Sequence, residues 1–527
     1  MQLLLEATNI KKYYVDRLII NIHDLKIYDR DRIGIVGLNG SGKTTLINVL
    51  MNRIPFEEGF LKIHSEFSYI SQLDEEISQH LSGGEKTNLK IQKAFSKNCS
   101  ILFADEPTSN LDIKNINRLE TMLKQFNGAV VLISHDRALL DNICTKIIEI
   151  ENGTINTYSG NFTNYKKQKQ LKRTQQEFEY EEYIKQKNKL EGAREKIYHE
   201  ADAMKKAPSR MGNSEARLHK GAFRQSKGNL TGKVNIIESK LEHLQVKNRP
   251  SAIVNTKIDI ASSSPLHSKV IISAKDISKS FYDKILFEDV TFNILNGSKT
   301  ALIGDNGTGK TTLLKLLLQQ QKGIAISKAS KIGYFSQSLD ILDYDKTLYE
   351  NIIEDSVVDK TLVRTLLSRL LFKREDLNKK VSLLSGGERV KASFAKIFTK
   401  DINMLILDEP TNYLDIESVE ALISVLKDYL GTVLFISHDR SFISALADQL
   451  LVLENKKIHC FQGNYEQYSQ MLKPKASSED TALQLMLLEN KLAELLSRHS
   501  SPTKKDDIVK LDSEYKEILT KIKHIKA

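Results

Sequence analysis

Short, uninterrupted apolar runs recur along the chain between charged turns: Arg32–Val36, Ile101–Ala104, Ala129–Ser134 and, much later, Thr432–Ser437. Each is strand-length, and each reads as a buried strand. Apolar helical patterns follow them, as after Lys43, so the chain predicts an α/β fold. Two other stretches carry a helical period alone. From Lys166 to Met204 there is no proline, and Tyr183, Leu190, Ile197 and Met204 recur every seven positions. Beyond a polar tip, Val234, Ile237, Leu241 and Leu244 mark a second stripe, and together these predict a helical hairpin with a narrow seam. Near the C-terminus Leu485, Leu488, Leu492 and Leu495 step by three and four. Ile508, Leu511, Tyr515, Ile518, Ile522 and Ile525 do likewise after a Ser-Ser-Pro break, predicting a second hairpin that could dock on the protein itself or on an RNA or protein surface. No window approaches the ~18 apolar residues of a membrane span. The apolar run at Met1–Tyr14 is too short for a signal peptide.

Two strand ends carry chemistry. Val36-Gly37-Leu38-Asn39-Gly40-Ser41-Gly42-Lys43-Thr44-Thr45 lies between a strand and a helix, the context a phosphate-binding loop requires. Its glycines let successive N–H groups turn toward phosphates, Lys43 reaches the β- and γ-phosphates, and Thr44 ligates Mg2+. Without that context the segment would be only a glycine-rich turn with an incidental lysine. Ile101–Asp105 ends in two carboxylates: Asp105 to hold Mg2+ through water, and Glu106 to polarise the attacking water. Taken alone, an apolar run ending in Asp-Glu is more often a strand followed by a solvated turn.

The whole arrangement repeats. Tyr14 precedes Lys43 by 29 positions, as Phe281 precedes Lys310. Ser82 precedes Glu106 by 24, as Ser385 precedes Glu409, and His135 follows Glu106 by 29, as His438 follows Glu409. The second phosphate loop is Gly304-Asp305-Asn306-Gly307-Thr308-Gly309-Lys310-Thr311-Thr312, and its strand carboxylates are Asp408 and Glu409. One interval differs: Ser82 stands 10 positions after Gln72, whereas Ser385 stands 48 after Gln337. The expected domains are therefore 1–165 and 269–472, joined by a helical linker (166–250) and a Ser/Pro-containing connector (251–268), with a helical extension at 473–527.

Charge singles out the linker. The chain has 77 Lys and Arg against 67 Asp and Glu, a net of +10. Residues 166–250 hold 21 against 11, so the entire excess lies there and the remainder balances. Lys205 to Lys233 holds eight basic residues and one acid, Glu215, with Met211, Leu218 and Phe223 lacking any evident core to join. This composition suits an RNA crevice, with cations on phosphates and an apolar tip on bases. A solvated coiled coil that merely spaces the two domains fits the same residues. Three cysteines far apart, with no CxxC, argue against a disulfide framework or zinc site and fit a reduced cytosol.

Leu81-Ser82-Gly83-Gly84-Glu85 and Leu384-Ser385-Gly386-Gly387-Glu388 resemble the signature of ATP-binding-cassette (ABC) ATPases, whose Ser and Gly contact the γ-phosphate of ATP held by the other cassette. That resemblance makes Gln72 and Gln337 additional Mg2+ ligands beside Thr44, Thr311, Asp105 and Asp408. It makes Ser109-Asn110-Leu111-Asp112 a D-loop, His135 and His438 switch histidines, and Tyr14 and Phe281 adenine-stacking aromatics. Two ATP sites then form head to tail, one pairing Lys43, Glu106 and His135 with Ser385, the other Lys310, Glu409 and His438 with Ser82. The D-loops differ, Ser109 against Tyr413. Tandem cassettes without membrane spans, joined by a basic helical linker, resemble the ABC-F family of translation ATPases, most of all its antibiotic-resistance members. The short Gln72–Ser82 interval, the long linker tip and the C-terminal hairpin are similar to that group. The resemblance implies an ATP- and Mg2+-dependent cytoplasmic protein, monomeric off the ribosome, that enters the ribosomal exit site and meets 23S rRNA and the tRNA of the peptidyl site. Lys205, Lys206, Arg210, Met211, Arg217, Lys220, Phe223, Arg224 and Lys227 would be its contacts, with neither DNA nor membrane as partner. Protection from lincosamides, streptogramin A compounds and pleuromutilins follows from the likeness alone. A housekeeping ABC-F factor without a drug role, or the soluble ATPase subunit of an exporter, are the alternatives.

Overall fold

The structure, a computed structural model, describes residues 2–71, 83–97, 99–203, 230, 232–244, 246–247, 268–281, 284–336, 341–472, 515 and 518. Gln72, Ser82, Gln337 and all nine linker-tip candidates, from Lys205 to Lys227, lie outside the described residues. Of the C-terminal stretch only Tyr515 and Ile518 are described, both helical, with Ile518 buried. The chain divides into two compact units: Met1–Leu266 with Asp305–Gly307 and Ala329–Gly431, and His267–Gly304 with Thr308–Lys328 and Thr432–Ala527.

The first unit is built on a nine-stranded sheet: β1 (Leu3–Tyr14), β2 (Arg17–Tyr28), β3 (Arg32–Val36), β4 (Glu58–Ile63), β5 (Phe67–Ile70), β6 (Ile101–Asp105), β7 (Ala129–Ile133), β8 (Lys146–Glu151) and β9 (Thr154–Ser159), in the order β4-β1-β2-β9-β8-β3-β7-β6-β5. β7 lies parallel to β3 and β6, and every residue of β6 and β7 is buried. Covered on both faces, these strands need apolar side chains at every position, which is why they read as continuous runs. The helices α1 (Lys43–Leu50), α2 (Gly83–Phe95), α3 (Ile113–Gln125) and α4 (Arg137–Ile143) return the chain between strands. Their starts are set by motif residues. Asp112 caps α3 by accepting from Asn115 N–H at 2.9 Å, and Asp136 caps α4 by accepting from Leu139 N–H at 3.0 Å.

The linker leaves as α5 (Phe162–Ala203), 42 residues and so about 60 Å long at 1.5 Å per residue. α6 (232–242) returns beside it. Tyr198 Oη donates to Glu238 Oε1 at 3.3 Å, and Lys247 Nζ stands 3.0 Å from Glu179 Oε2, so the two segments run antiparallel. The predicted seam is what they bury: Val234 is buried, and Tyr183, Leu190, Ile197, Ile237, Leu241 and Leu244 are half-buried.

The first unit also contains β14 (Ile332–Phe335), parallel to β15 (Met404–Asp408), and the helices α8 (Leu348–Ile353), α9 (Lys360–Arg369), α10 (Gly386–Phe398) and α11 (Ile416–Asp428). α8 and α9 occupy the 48-position interval before Ser385; between β5 and α2 only 12 residues intervene. In the second unit, β12 (Lys299–Gly304) lies between parallel β16 (Thr432–Ile436) and β17 (Gln449–Glu454), with β18 (Lys457–Gln462) antiparallel to β17. A separate sheet joins β10 (Val270–Phe281), β11 (Lys284–Leu295) and β13 (Ile324–Ile326), while α7 (Lys310–Leu318), α12 (Arg440–Leu446) and α13 (Tyr465–Leu472) complete it. Among the described residues no helix is long and apolar enough to cross a membrane.

Candidate nucleotide site

β3 delivers the chain into a loop that only glycine tolerates at several points. Gly37 has φ +154°, and a Cβ there would lie 2.7 Å from the Ile150 carbonyl; Gly42, the N-cap of α1, has φ +100°. The loop ends on Lys43, whose ammonium donates to the carbonyls of Gly37 at 2.8 Å and Leu38 at 3.0 Å. Burial pushes its pKa down, against the opposing pull of Glu106, Asp415 and Asp105. A half-buried cation whose hydrogen-bond partners are the carbonyls of its own loop is poised for an anion. Ser41 Oγ, buried and without a partner, lies in the same loop. The second loop repeats the device: Gly309 has φ +103°, and the buried Lys310 donates to the Gly304 carbonyl at 2.9 Å.

β6 delivers the carboxylates. Asp105 is buried, hydrogen-bonded to Thr44, and its Oδ2 has no partner. Burial, reinforced by Glu106 and opposed by Thr44 and Lys43, raises its pKa to about 6. Among the described residues no three His, Cys, Asp or Glu side chains gather as a metal cluster. A hydroxyl beside one buried carboxylate with a vacant oxygen, next to a phosphate loop, is instead the sparse donor set that suits Mg2+ held partly by substrate phosphates. Glu106 sits in the left-handed region at φ +48°, and Glu409 repeats this at φ +50°. Such a conformation costs a non-glycine residue about 1 kcal/mol or more and persists where neighbours enforce it. Here Glu106 N–H donates to the Ile133 carbonyl at 2.9 Å, and Ser109 N–H donates to the Glu106 carbonyl at 3.1 Å. The turn aims Glu106 at His135. The histidine N–H donates to Oε2 at 3.3 Å, and Nε2 stands 3.3 Å from Oε1.

The sequence-selected residues of the second repeat that share the first unit complete this picture. Asn39 N–H donates to Asp415 Oδ2 at 3.0 Å, and Asn39 Nδ2 donates to the Tyr413 carbonyl at 2.8 Å. Gly387, buried, would place a Cβ 2.7 Å from that carbonyl and 3.1 Å from Asn39 Nδ2. Reciprocally, Asn306 N–H donates to Asp112 Oδ2 at 3.0 Å, and Asn306 Nδ2 donates to the Asn110 carbonyl at 2.7 Å, with Gly84 against both. Asn110 (φ +63°) is thus the counterpart of Tyr413 (φ +66°), which corrects the pairing of Ser109 with Tyr413 made from sequence. Asp415 was missed as a site residue, and Asp112 was named only as part of the D-loop, with no role of its own. Each looks like an ordinary helix cap, and nothing in sequence reveals that its second oxygen serves a phosphate loop. Burial would raise the pKa of Asp415, but Asn39 N–H, the hydrogen bonds from Ser418 and the Lys391 charge outweigh it and hold the group below the usual carboxylate range.

Ser385 caps α10 reciprocally with Glu388: Ser385 N–H donates to Glu388 Oε2 at 2.8 Å, and Glu388 N–H donates to Ser385 Oγ at 3.3 Å. Tyr14 and Phe281 end their strands half exposed, at 50% and 51%, with Lys12 and Lys279 over their rings at 5.6 and 5.3 Å, leaving ring surface open for a planar base.

A family model described as ABC transporter matches residues 20–68 and 287–412, and a second of the same description matches 148–217. The Ribosome protection protein VmlR of Bacillus subtilis is 30% identical over 555 aligned positions, covering 100% of this chain and 99% of that protein. The Erythromycin resistance ATP-binding protein MsrA of Staphylococcus epidermidis is 31% identical, over 84% of this chain and 95% of its own length. ABC transporter F family member 2 of Arabidopsis thaliana is 33% identical over 77% of this chain and 57% of its own. In fold, the chain is similar to a solved structure containing the archaeal ribosome recycling factor aABCE1, with a TM-score of 0.59 at 20% identity over 88% of this chain and 92% of that one. With two phosphate loops and two signature segments in its sequence, and this identity across its full length, the chain belongs to the ABC-F family and is an ATP hydrolase of the ABC type.

Proposed function

We propose that the protein protects ribosomes from antibiotics of the peptidyl-transferase centre by an ATP-driven cycle. In the ATP-bound form the linker enters the exit site, meets 23S rRNA and the peptidyl-site tRNA, and drives off the drug. The observation that carries the reading is the confinement of the whole charge excess to residues 166–250, on a hairpin whose outgoing helix is 42 residues long. Electrostatic binding of that kind needs a polyanion of matching depth, and folded RNA supplies it. Two relatives are named for ribosome protection and for erythromycin resistance, which supports a drug role and adds erythromycin to the lincosamide, streptogramin A and pleuromutilin panel to be tried.

In this reading Lys43 and the loop N–H groups hold the phosphates, and Tyr14 stacks on adenine. Thr44, Gln72 and Asp105 hold Mg2+, which neutralises phosphate charge when bound. Glu106, oriented through its strained turn and His135, receives a proton from the attacking water; Gly386 and Gly387 with Ser385 close the γ-phosphate side. Gly304, Asn306, Thr308, Lys310, Thr311, Thr312, Asp408, Glu409 and His438, with Gln337, Ser82, Gly83 and Gly84, play the same parts for the second nucleotide. The test is sedimentation with ribosomes. Glu106→Gln with Glu409→Gln blocks turnover, so this variant should co-sediment with ribosomes in ATP but not in ADP, and the chain should raise drug tolerance in a susceptible host. A doubly substituted chain that never co-sediments refutes ribosome binding. Binding without altered tolerance to any drug of the panel selects the housekeeping reading.

A further inference from the structure

The first turns of α5 are tied to the helix that supplies Asp415. Lys166 Nζ stands 2.5 Å from Glu420 Oε2 and Lys169 Nζ 3.2 Å from Glu417 Oε1, both acids on α11. The helix begins at Asp415, whose Oδ2 accepts from the phosphate-loop residue Asn39. Arg137, two residues beyond His135, donates to the Ile416 carbonyl at 3.1 Å and pairs with Glu420 at 3.0 Å. One short stretch of α11 therefore touches the phosphate loop, the histidine segment and the linker helix together, with Glu420 shared between the last two.

Two grades of strength are built in. Lys169 also stands 2.6 Å from Glu149 Oε1 of β8, a buried carboxylate that accepts from Tyr165 Oη at 2.6 Å and Tyr158 Oη at 3.1 Å. Burial alone would lower the pKa of Lys169, but Glu149, by hydrogen bond and charge, and Glu417 outweigh it and hold the ammonium protonated. This is a fixed pivot. The Lys166–Glu420 pair is 37% exposed on each side and Glu417 is 47% exposed. Such pairs contribute at most about 1 kcal/mol each, so they can open without unfolding anything.

The repeat shows that the ATPase machinery does not require them. Glu106, Asp112, His135 and Asp136 recur 303 positions later as Glu409, Asp415, His438 and Asp439, yet Glu149 corresponds to Val452, Lys166 to Ser469 and Lys169 to Leu472. Glu417 and Glu420 correspond to Lys114 and Asn117. Arg137 recurs as Arg440, but the lysines and glutamates that tie it to the linker helix are present only where a chain segment continues into the basic linker.

We propose that Lys166, Lys169, Arg137, Glu417 and Glu420 are positioning residues that latch the linker helix to the nucleotide site built on Lys43, and to that site alone. Displacement of the linker by its RNA partner then alters turnover at one of the two sites. The partner comes from the function proposed above; the latch does not depend on it.

The test uses full-length chains with one working site. Glu417→Gln with Glu420→Gln is introduced into a Glu409→Gln chain, where only the Lys43 site turns over, and into a Glu106→Gln chain, where only the Lys310 site does. ATP turnover is read with and without purified ribosomes. Ribosome stimulation is expected to fall about two- to fivefold in the first background, the range for one or two part-exposed pairs, and to be unchanged in the second. Equal loss in both, or none in either, overturns the proposal. Ribosomes that stimulate neither parent chain count against the ribosome reading instead, and the latch is then judged by amide hydrogen exchange over 166–180 in the isolated Glu409→Gln chain with ATP. Faster exchange on adding the two glutamines supports the latch; unchanged exchange overturns it.

Discussion

Asp105→Asn should make the nucleotide-free protein more stable while weakening its hold on Mg2+ and ATP. In the folded chain burial penalises the charge and raises the carboxyl pKa from its ordinary 3.8 to about 6. At 1.36 kcal/mol per unit, this displacement corresponds to about 3 kcal/mol of destabilisation at pH 8, where both folded and unfolded states are ionised. A raised pKa means that the stability is fully present below 3.8 and is lost as pH rises through about 6. The amide substitute carries no charge, keeps the Thr44 bond and leaves one N–H group short of a partner at about 1 kcal/mol, for a net gain of about 2 kcal/mol at pH 8. Thermal unfolding in EDTA without nucleotide, at pH 8 and pH 5, measures both the gain and its pH dependence. At pH 5 the charge penalty falls to about 1.6 kcal/mol, so the gap between variant and parent should shrink from about 2 to about 0.6 kcal/mol. In Mg2+ and ATP the order should reverse, since the parent gains binding energy that the variant lacks. An asparagine variant less stable than the parent at pH 8 without ligand, or a gap that ignores pH, refutes the argument that Asp105 is a strained carboxylate waiting for a cation.

Three further outcomes follow from the geometry. Tyr165→Phe removes the 2.6 Å hydrogen bond to buried Glu149 and should lower stability by about 1–3 kcal/mol, seen as a reduced urea midpoint. Gly387→Ala, whose Cβ would lie 2.7 Å from the Tyr413 carbonyl, should cut ATP turnover at least about tenfold, with the loss concentrated at the Lys43 site in single-site chains. Gly192→Ala, in mid-helix with nothing near its Cβ position, should stabilise α5 by about 0.5–1 kcal/mol and slow amide exchange there.

The strands, the phosphate loops and the linker seam were legible because each rests on one local rule. Complete burial makes β6 and β7 apolar throughout, backbone sign makes Gly37 and Gly42 glycines, and a two-helix seam imposes the seven-residue spacing of Tyr183, Leu190 and Ile197. What was not legible depends on residues hundreds of positions apart. Asp415 reads as a helix cap until Asn39 is seen to donate to its other oxygen. Glu417 and Glu420 read as solvated helix charges until Lys166 and Lys169 are found opposite them. Equivalence between the D-loops was misread by one residue because neighbouring polar side chains look alike, whereas the left-handed φ of Asn110 and Tyr413 identifies the matching pair at once.

That contrast separates the parts of a motif that serve the fold from those that serve the ligand. Ser385 and Glu388 satisfy one another as a capping box, Asp136 accepts from Leu139, and Ser134 Oγ accepts from Asp136, so these motif positions would be wanted in any helix of this shape. Ser41 Oγ, Asp105 Oδ2 and His135 Nδ1 are buried in the same unit and have no partner. A buried polar atom left unsatisfied costs about 1–3 kcal/mol, and selection for stability alone would replace it with an apolar group of similar size. These three atoms, one in the phosphate loop and the others just beyond it on the residues that end β6 and follow β7, mark groups whose partners arrive from outside the chain, and they belong to the nucleotide site that the linker latch reaches through Asp415 and Asn39.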